Sequence, residues 1–208
     1  MIFEPLLKMK ISEFDYNFLL SLLSDYRHPR DKISELLKTK VIIRVKKGIY
    51  VLGPVYHKPY SLLVLANMIY GPSYISGDFA LSHYGLIPEK VVTITSMTPK
   101  RKRTFATPVG FFSYEYLSME KFSVGITWVS LDDDRSFLIA SKEKALVDKI
   151  HKLEAFTSKM ELKSYLVDGL RIDEEVLKFF ALFRLKAIKD KFDDSNTEML
   201  FSLIRDLK

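Results

Sequence analysis

The 208-residue sequence predicts an α+β fold, and three observations carry that prediction. Two helical patterns between residues 13 and 40 lead into two short β-branched runs pinched at a glycine. After residue 90 the pattern becomes a series of strand-like runs separated by charged or Pro/Gly turns. From Ser141 onward helical spacing returns, punctuated by Ser and Asp caps. With 48% hydrophobic and 28% charged residues, the chain can bury a full core.

The first helical stretch is EFDYNFLLSLLSD, residues 13–25, where Phe14, Phe18, Leu19 and Leu22 share one face and Ser12 and Asp15 give an N-cap signal. YRHPR follows as a turn, and Pro29 suits the first position of a second helix because its missing N–H would be unpaired there. That helix, RDKISELLKTK, puts Ile33, Leu36 and Leu37 inward. VIIRVKKGIYVL then reads as two strands joined at Lys47-Gly48, with the glycine supplying a positive φ. Helix, turn, helix and two-stranded wing form the order of a winged helix-turn-helix. GPVYHKP marks its boundary, which divides the chain into a 1–56 module and a 60–208 mixed α/β domain with a helical C-terminus.

In the second part, Tyr60–Tyr70 predicts a helix. GPSYISGDFALSHYGLIPE follows, with Ser76 as the cap of a helix Gly77–Tyr84, Asp78 in its first turn, Gly85 at its left-handed end and Leu86 as the contact beyond. KVVTITSM, VGFFSYEYL, VGITWVSL and SFLIAS read as strands, with TPKRKRT and DDDR as turns. Ser141, Ser158, Asp173 and Ser195 are expected helix caps. The last helix places Leu200, Leu203, Ile204 and Leu207 on one face, suited to internal core or to a partner.

Charge is unevenly spread. Residues 1–58 carry 11 Lys/Arg against 6 Asp/Glu, residues 59–121 carry 6 against 4, and residues 122–208 carry 15 against 16. A basic N-terminal module on a near-neutral body is the footprint of a nucleic-acid binder. Within it, Arg30, Lys32, Ser34 and Lys38 on the second helix are the candidates to face bases and phosphates. Arg44, Lys46 and Lys47 on the wing are candidates to hold the backbone. A winged helix used for protein contact, or an ordinary solvated charged helix, fits the same pattern. Lys100, Arg101, Lys102 and Arg103 form a second basic group, either another nucleic-acid contact or the solvated tip of a hairpin.

Enzyme signatures are absent: no Walker loop, GxGxxG, HExxH or GxSxG occurs. The four His lack metal-ligand spacing, there is no Cys, and Glu161-x-Lys163 has no partner carboxylate. No catalytic residue, metal or cofactor is therefore expected, with His83 and Tyr84 kept as the one open pair. No run reaches the ~20 apolar residues of a membrane span, the N-terminus makes a poor signal peptide, and a cytoplasmic location is expected.

Taken together, IIRVKKGIYVLGP, YISGDFALSHYGLIPE, TSMTPKRKRTFATPVGFFSYEYL and FLIASKEKALVDKI resemble the AbiEi-like antitoxins of bacterial abortive-infection (type IV toxin–antitoxin) systems, over roughly residues 14–150. The resemblance implies a winged helix that binds operator DNA of its own operon and represses it. It also implies a C-terminal domain that counters a nucleotidyltransferase-like toxin, generally without a stable complex. DNA contacts would fall on the helix around Arg30–Lys38 and the wing around Arg44–Lys47. The family has Pro where this chain has Lys142. A non-enzymatic protein-interaction module, and an enzyme that modifies toxin or RNA, are the alternatives.

Overall fold

The computed structural model describes residues 3–208; Met1 and Ile2, at the start of the expected 1–56 module, lie outside the described residues. The N-terminal part runs α1 (Glu4–Leu7), β1 (Glu13–Asp15), α2 (Tyr16–Leu22), α3 (Pro29–Lys38), β2 (Ile42–Lys46) and β3 (Ile49–Leu52). Its three strands form an antiparallel sheet of order β1-β3-β2. The helix expected over 13–25 is shorter, because its first three residues are β1. Phe14 lies opposite Tyr50 in the ladder and stacks on its ring at 6.1 Å, so cross-strand packing overrides the local helical signal. Asp15, not Ser12, is the cap: its Oδ1 accepts from the Phe18 N–H at 2.8 Å.

Pro29 opens α3 and Gly48 turns the hairpin at φ +88°, both as the sequence predicts. Side chains of the small sheet divide between two cores. Ile42, Tyr50 and Leu52 pack with Leu19, Ile33 and Leu36 beneath the helices. Ile43, Val45, Ile49 and Val51 pack instead with residues of the second part. The small sheet therefore contributes apolar side chains from both faces, while Arg44 and Lys47 of its β2–β3 hairpin stay exposed.

After a 3₁₀ turn at Pro54–Tyr56, the second part contains α4 (Leu62–Ile69), β4 (Tyr74–Ile75), α5 (Gly77–His83), β5 (Ile94–Thr98), β6 (Arg103–Thr107), β7 (Gly110–Tyr116), α6 (Met119–Phe122), β8 (Ile126–Ser130) and β9 (Ser136–Ala140). The helical tail follows as α7 (Lys142–Ile150), α8 (Lys159–Ser164) running into a π-turn, α9 (Glu174–Lys178), α10 (Leu182–Phe192) and α11 (Ser195–Asp206). The six strands form one mixed sheet of order β6-β7-β5-β4-β9-β8, in which β4–β9 and β5–β7 are parallel. β4 was concealed within the glycine-rich motif, since two residues show no period. β6 overlaps the stretch assigned to a basic turn. In α11, Leu200, Leu203 and Ile204 enter the core, and Asp194 rather than Ser195 is the cap, its Oδ1 accepting from the Thr197 N–H at 2.9 Å.

Between the two sheets, Glu13 is almost fully buried. It accepts from the Ser61 N–H just ahead of α4 and lies 3.4 Å from the Arg135 guanidinium in the β8–β9 turn. Arg135 also holds Asp132 at 2.7 Å, which gives the DDDR turn its internal clasp. Gly53 lets β3 leave the module: a Cβ there would lie 1.9 Å from the Lys40 carbonyl oxygen and 2.8 Å from that of Val41. Gly53→Ala should accordingly destabilise the protein by on the order of 3 kcal/mol, because the clash is with backbone. Chemical denaturation of the variant beside Gly169→Ala, whose Cβ would meet nothing closer than the Tyr165 ring at 3.5 Å, checks this.

Candidate nucleic-acid interface

α3 presents Arg30, Ser34 and Lys38 to solvent. Neither Arg30 nor Lys38 has an ion-pair partner among the described residues. The Ser34 hydroxyl donates to the Arg30 carbonyl oxygen at 3.0 Å and so serves its own helix in the absence of a ligand. Lys32 is turned away from this group. Its ammonium pairs with Glu35 at 2.8 Å and sits 5.8 and 5.7 Å from the centres of the Phe3 and Tyr26 rings. The Glu35 hydrogen bond raises its pKa, and the side chain is committed to the module's own packing.

On the wing, Arg44 and Lys47 are exposed and unpaired among the described residues, whereas Lys46 is not a solvent-facing cation. Opposite pairs run Ile43↔Val51 and Arg44↔Tyr50, then slip to Lys46↔Ile49. This bulge at Val45 carries Lys46 to the face occupied by Ile49 and Val51, toward the second part. Its ammonium donates to the Ile69 carbonyl oxygen at 2.6 Å, at the C-terminal end of α4 where the helix dipole favours a cation. It also lies 4.9 Å from the Phe105 ring centre.

The basic run meets it there. Lys100 donates to the Gly71 carbonyl oxygen and lies 5.4 Å from the Tyr70 ring. Arg103 lies 5.6 Å from Phe105 and 6.0 Å from Tyr70. Lys46, Lys100 and Arg103 thus share two aromatic rings, and no carboxylate pairs with any of them among the described residues. Burial, then the charges of Arg103 and Lys100, push the Lys46 ammonium below its ordinary pKa. Cation–π contact and carbonyl dipoles hold the cluster together but leave its net positive charge uncancelled. Arg101 is exposed, while Lys102 is bound to Glu115 at 2.9 Å. Two basic stretches more than fifty residues apart in the chain therefore form one positive surface at the module junction. The aromatic members, Tyr70 and Phe105, were not identified from sequence. Tyr70 adjoining Gly71-Pro72 was the available signal, but only the bulge brings Lys46 to it.

The motif residues that carry the family resemblance lie elsewhere. The Ser76 hydroxyl makes no cap bond; it donates to Asp148 Oδ2 at 2.7 Å, and Tyr74 Oη donates to the same oxygen at 2.9 Å. Lys144 holds the other oxygen at 2.7 Å and also donates to the Lys121 carbonyl at 3.0 Å. Both charged side chains are 0% exposed. Burial pushes the Tyr74 hydroxyl far up and the Lys144 ammonium down, the latter opposed by Asp148. A closed, satisfied network of this kind fixes structure. His83 is exposed, 6.0 Å from the Phe137 ring, and Tyr84 Oη donates to the Ala140 carbonyl at 2.7 Å, so neither is joined to an acid or base partner. Glu161 accepts from Thr157 and Lys163 pairs with Glu174, which separates those two side chains. The described residues contain no cluster of three or more potential metal ligands, and no helix among them is long and apolar enough to cross a membrane.

The sequence matches no family model and no curated protein.

Removing Asp148 should be costly because Lys144 would be left buried and unpaired. Asp148→Ala is expected to lose about 3–5 kcal/mol, and the double variant Lys144→Met/Asp148→Leu markedly less. Urea denaturation of the two variants measures the difference.

Proposed function

We propose that this chain is a DNA-binding antitoxin of the type IV class, repressing its own operon through the N-terminal module and opposing a nucleotidyltransferase-like toxin through the rest. One observation carries the DNA reading. The order α1-β1-α2-α3-β2-β3 with sheet order β1-β3-β2 supports a winged-helix reading, and its α3 and hairpin display Arg30, Lys38, Arg44 and Lys47 without carboxylate partners among the described residues. In this reading α3 enters the major groove, the hairpin tip holds phosphates, and the Lys46–Lys100–Arg103 cluster holds a phosphate beside the module junction. Each cation that neutralises a phosphate releases a counterion, so affinity falls steeply with salt. Such binding requires neither cofactor nor metal and takes place in the cytoplasm. The antitoxin role rests on the resemblance and is tested by rescue of cells expressing the toxin.

A gel-shift titration against the chain's own promoter DNA tests the DNA role. Binding should weaken with salt, and Arg30→Ala, Lys38→Ala, Arg44→Ala and Lys47→Ala should each reduce the salt slope by about one. Lys32→Ala should leave the slope unchanged, since Glu35 already occupies that ammonium. Absence of binding at low salt, or a fourfold variant that binds like the parent, would overturn the reading.

A further inference from the structure

The six-stranded sheet ends on two edges, and only one is protected. At β6 the strand is preceded by Lys100–Lys102, opens on Arg103 and is followed by Pro108, the charge and proline that blunt strand pairing. At the other edge β8 reads ITWVS, without charge or proline, and pairs with β9 in five unbroken steps, so no bulge twists it away. The Leu131 N–H bonds to the Arg135 carbonyl and the Ser141 N–H to the Gly125 carbonyl. In an antiparallel ladder this alternation turns the N–H and C=O groups of Ile126, Trp128 and Ser130 outward, away from β9.

The side chains beside this open edge are prepared for contact. Trp128 is 60% exposed and lies across from Leu138, also exposed. On the other face, Thr127 and Val129 line a groove of about 460 Å³ with Tyr84, Ser141, Lys142 and Arg184. Among the described residues, Lys142 is held by the Phe179 carbonyl at 3.0 Å and the Phe180 ring, and Arg184 by the Phe183 ring. No carboxylate pairs with either cation among the described residues. Phe179 and Phe183 stand beside them, 75% and 74% exposed.

We infer that β8 takes up an extended segment of a partner protein as an added strand, and that the segment places carboxylates over Lys142 and Arg184. Backbone hydrogen bonds to residues 126, 128 and 130 provide the pairing, and the two cations select the sequence. A second copy of this chain fits poorly. Two β8 strands paired about a two-fold axis at Trp128 would bring Lys142 and Arg184 of both copies to one side with no carboxylate between them. The inference is independent of DNA binding, since neither α3 nor the wing takes part.

Trp128 is the only tryptophan in the chain, so its fluorescence reports on the site directly. The probes are two synthetic peptides of equal length, one alternating Val with Glu and the other Val with Lys. The Val/Glu peptide should shift Trp128 emission saturably and slow amide exchange at residues 126, 128 and 130, while the Val/Lys peptide should do neither. Ser130→Pro removes one outward N–H without touching a bond to β9, and should weaken binding about tenfold. Lys142→Glu/Arg184→Glu should reverse the peptide preference. Thermal melts confirm that both variants fold, and DNA shifts with them should match the parent. Failure of the Val/Glu peptide to bind, or binding indifferent to both variants, would overturn the inference. So would a dimer in sedimentation that Ser130→Pro dissociates.

Discussion

One buried carboxylate organises the second part of the molecule. Asp148, on α7, accepts from Lys144 one turn earlier, from Tyr74 on β4 and from Ser76 just after it. Lys144 extends the network to the Lys121 carbonyl on α6 and lies 4.0 Å from the Phe192 ring on α10. Four elements distant in sequence are thereby fixed around one charge pair. Desolvation of two ions is expensive, and only the density of hydrogen bonds and the ring face offset it. Such a network tolerates little rearrangement, which is why YIS and EKAL-D, far apart in the chain, function as one unit.

The junction between the modules obeys the same logic on a smaller scale. Glu13 reaches the Ser61 N–H and Arg135, while Lys46 reaches the end of α4, the Tyr70 ring just beyond it and the Phe105 ring of the larger sheet. Polar ties at both ends of the contact frame the apolar layer formed by Val45, Val51 and their neighbours. Charge of one sign on the wing and the basic run therefore accumulates at a place held together by other forces.

Much of this was legible in the sequence where a single residue dictates local geometry. Pro29 opens α3, Gly48 turns the hairpin, Gly85 ends α5 with φ +67°, and Ser141, Ser158 and Asp173 cap their helices. Legibility failed where a distant partner decided the outcome. Phe14 joins a strand because Tyr50 awaits it, and Ser76 abandons its cap for Asp148. Lys46 leaves the face it would share with Arg44 because a register slip turns it over. Of the candidate interface, the exposed positions Arg30, Lys38, Arg44 and Lys47 could be named in advance. The convergence of Lys46 with Lys100 and Arg103 could not, since it depends on the packing of two sheets.

The double-sided burial of the small sheet has an evolutionary consequence. A module attached by a simple tether can be exchanged between proteins as a cassette. Here Ile43, Val45, Ile49 and Val51 present an apolar face that the second part must cover. Recombination at the Gly53–Pro59 boundary would leave that face uncovered unless the incoming domain supplied a matching surface, so the two halves of this chain are constrained to diversify together.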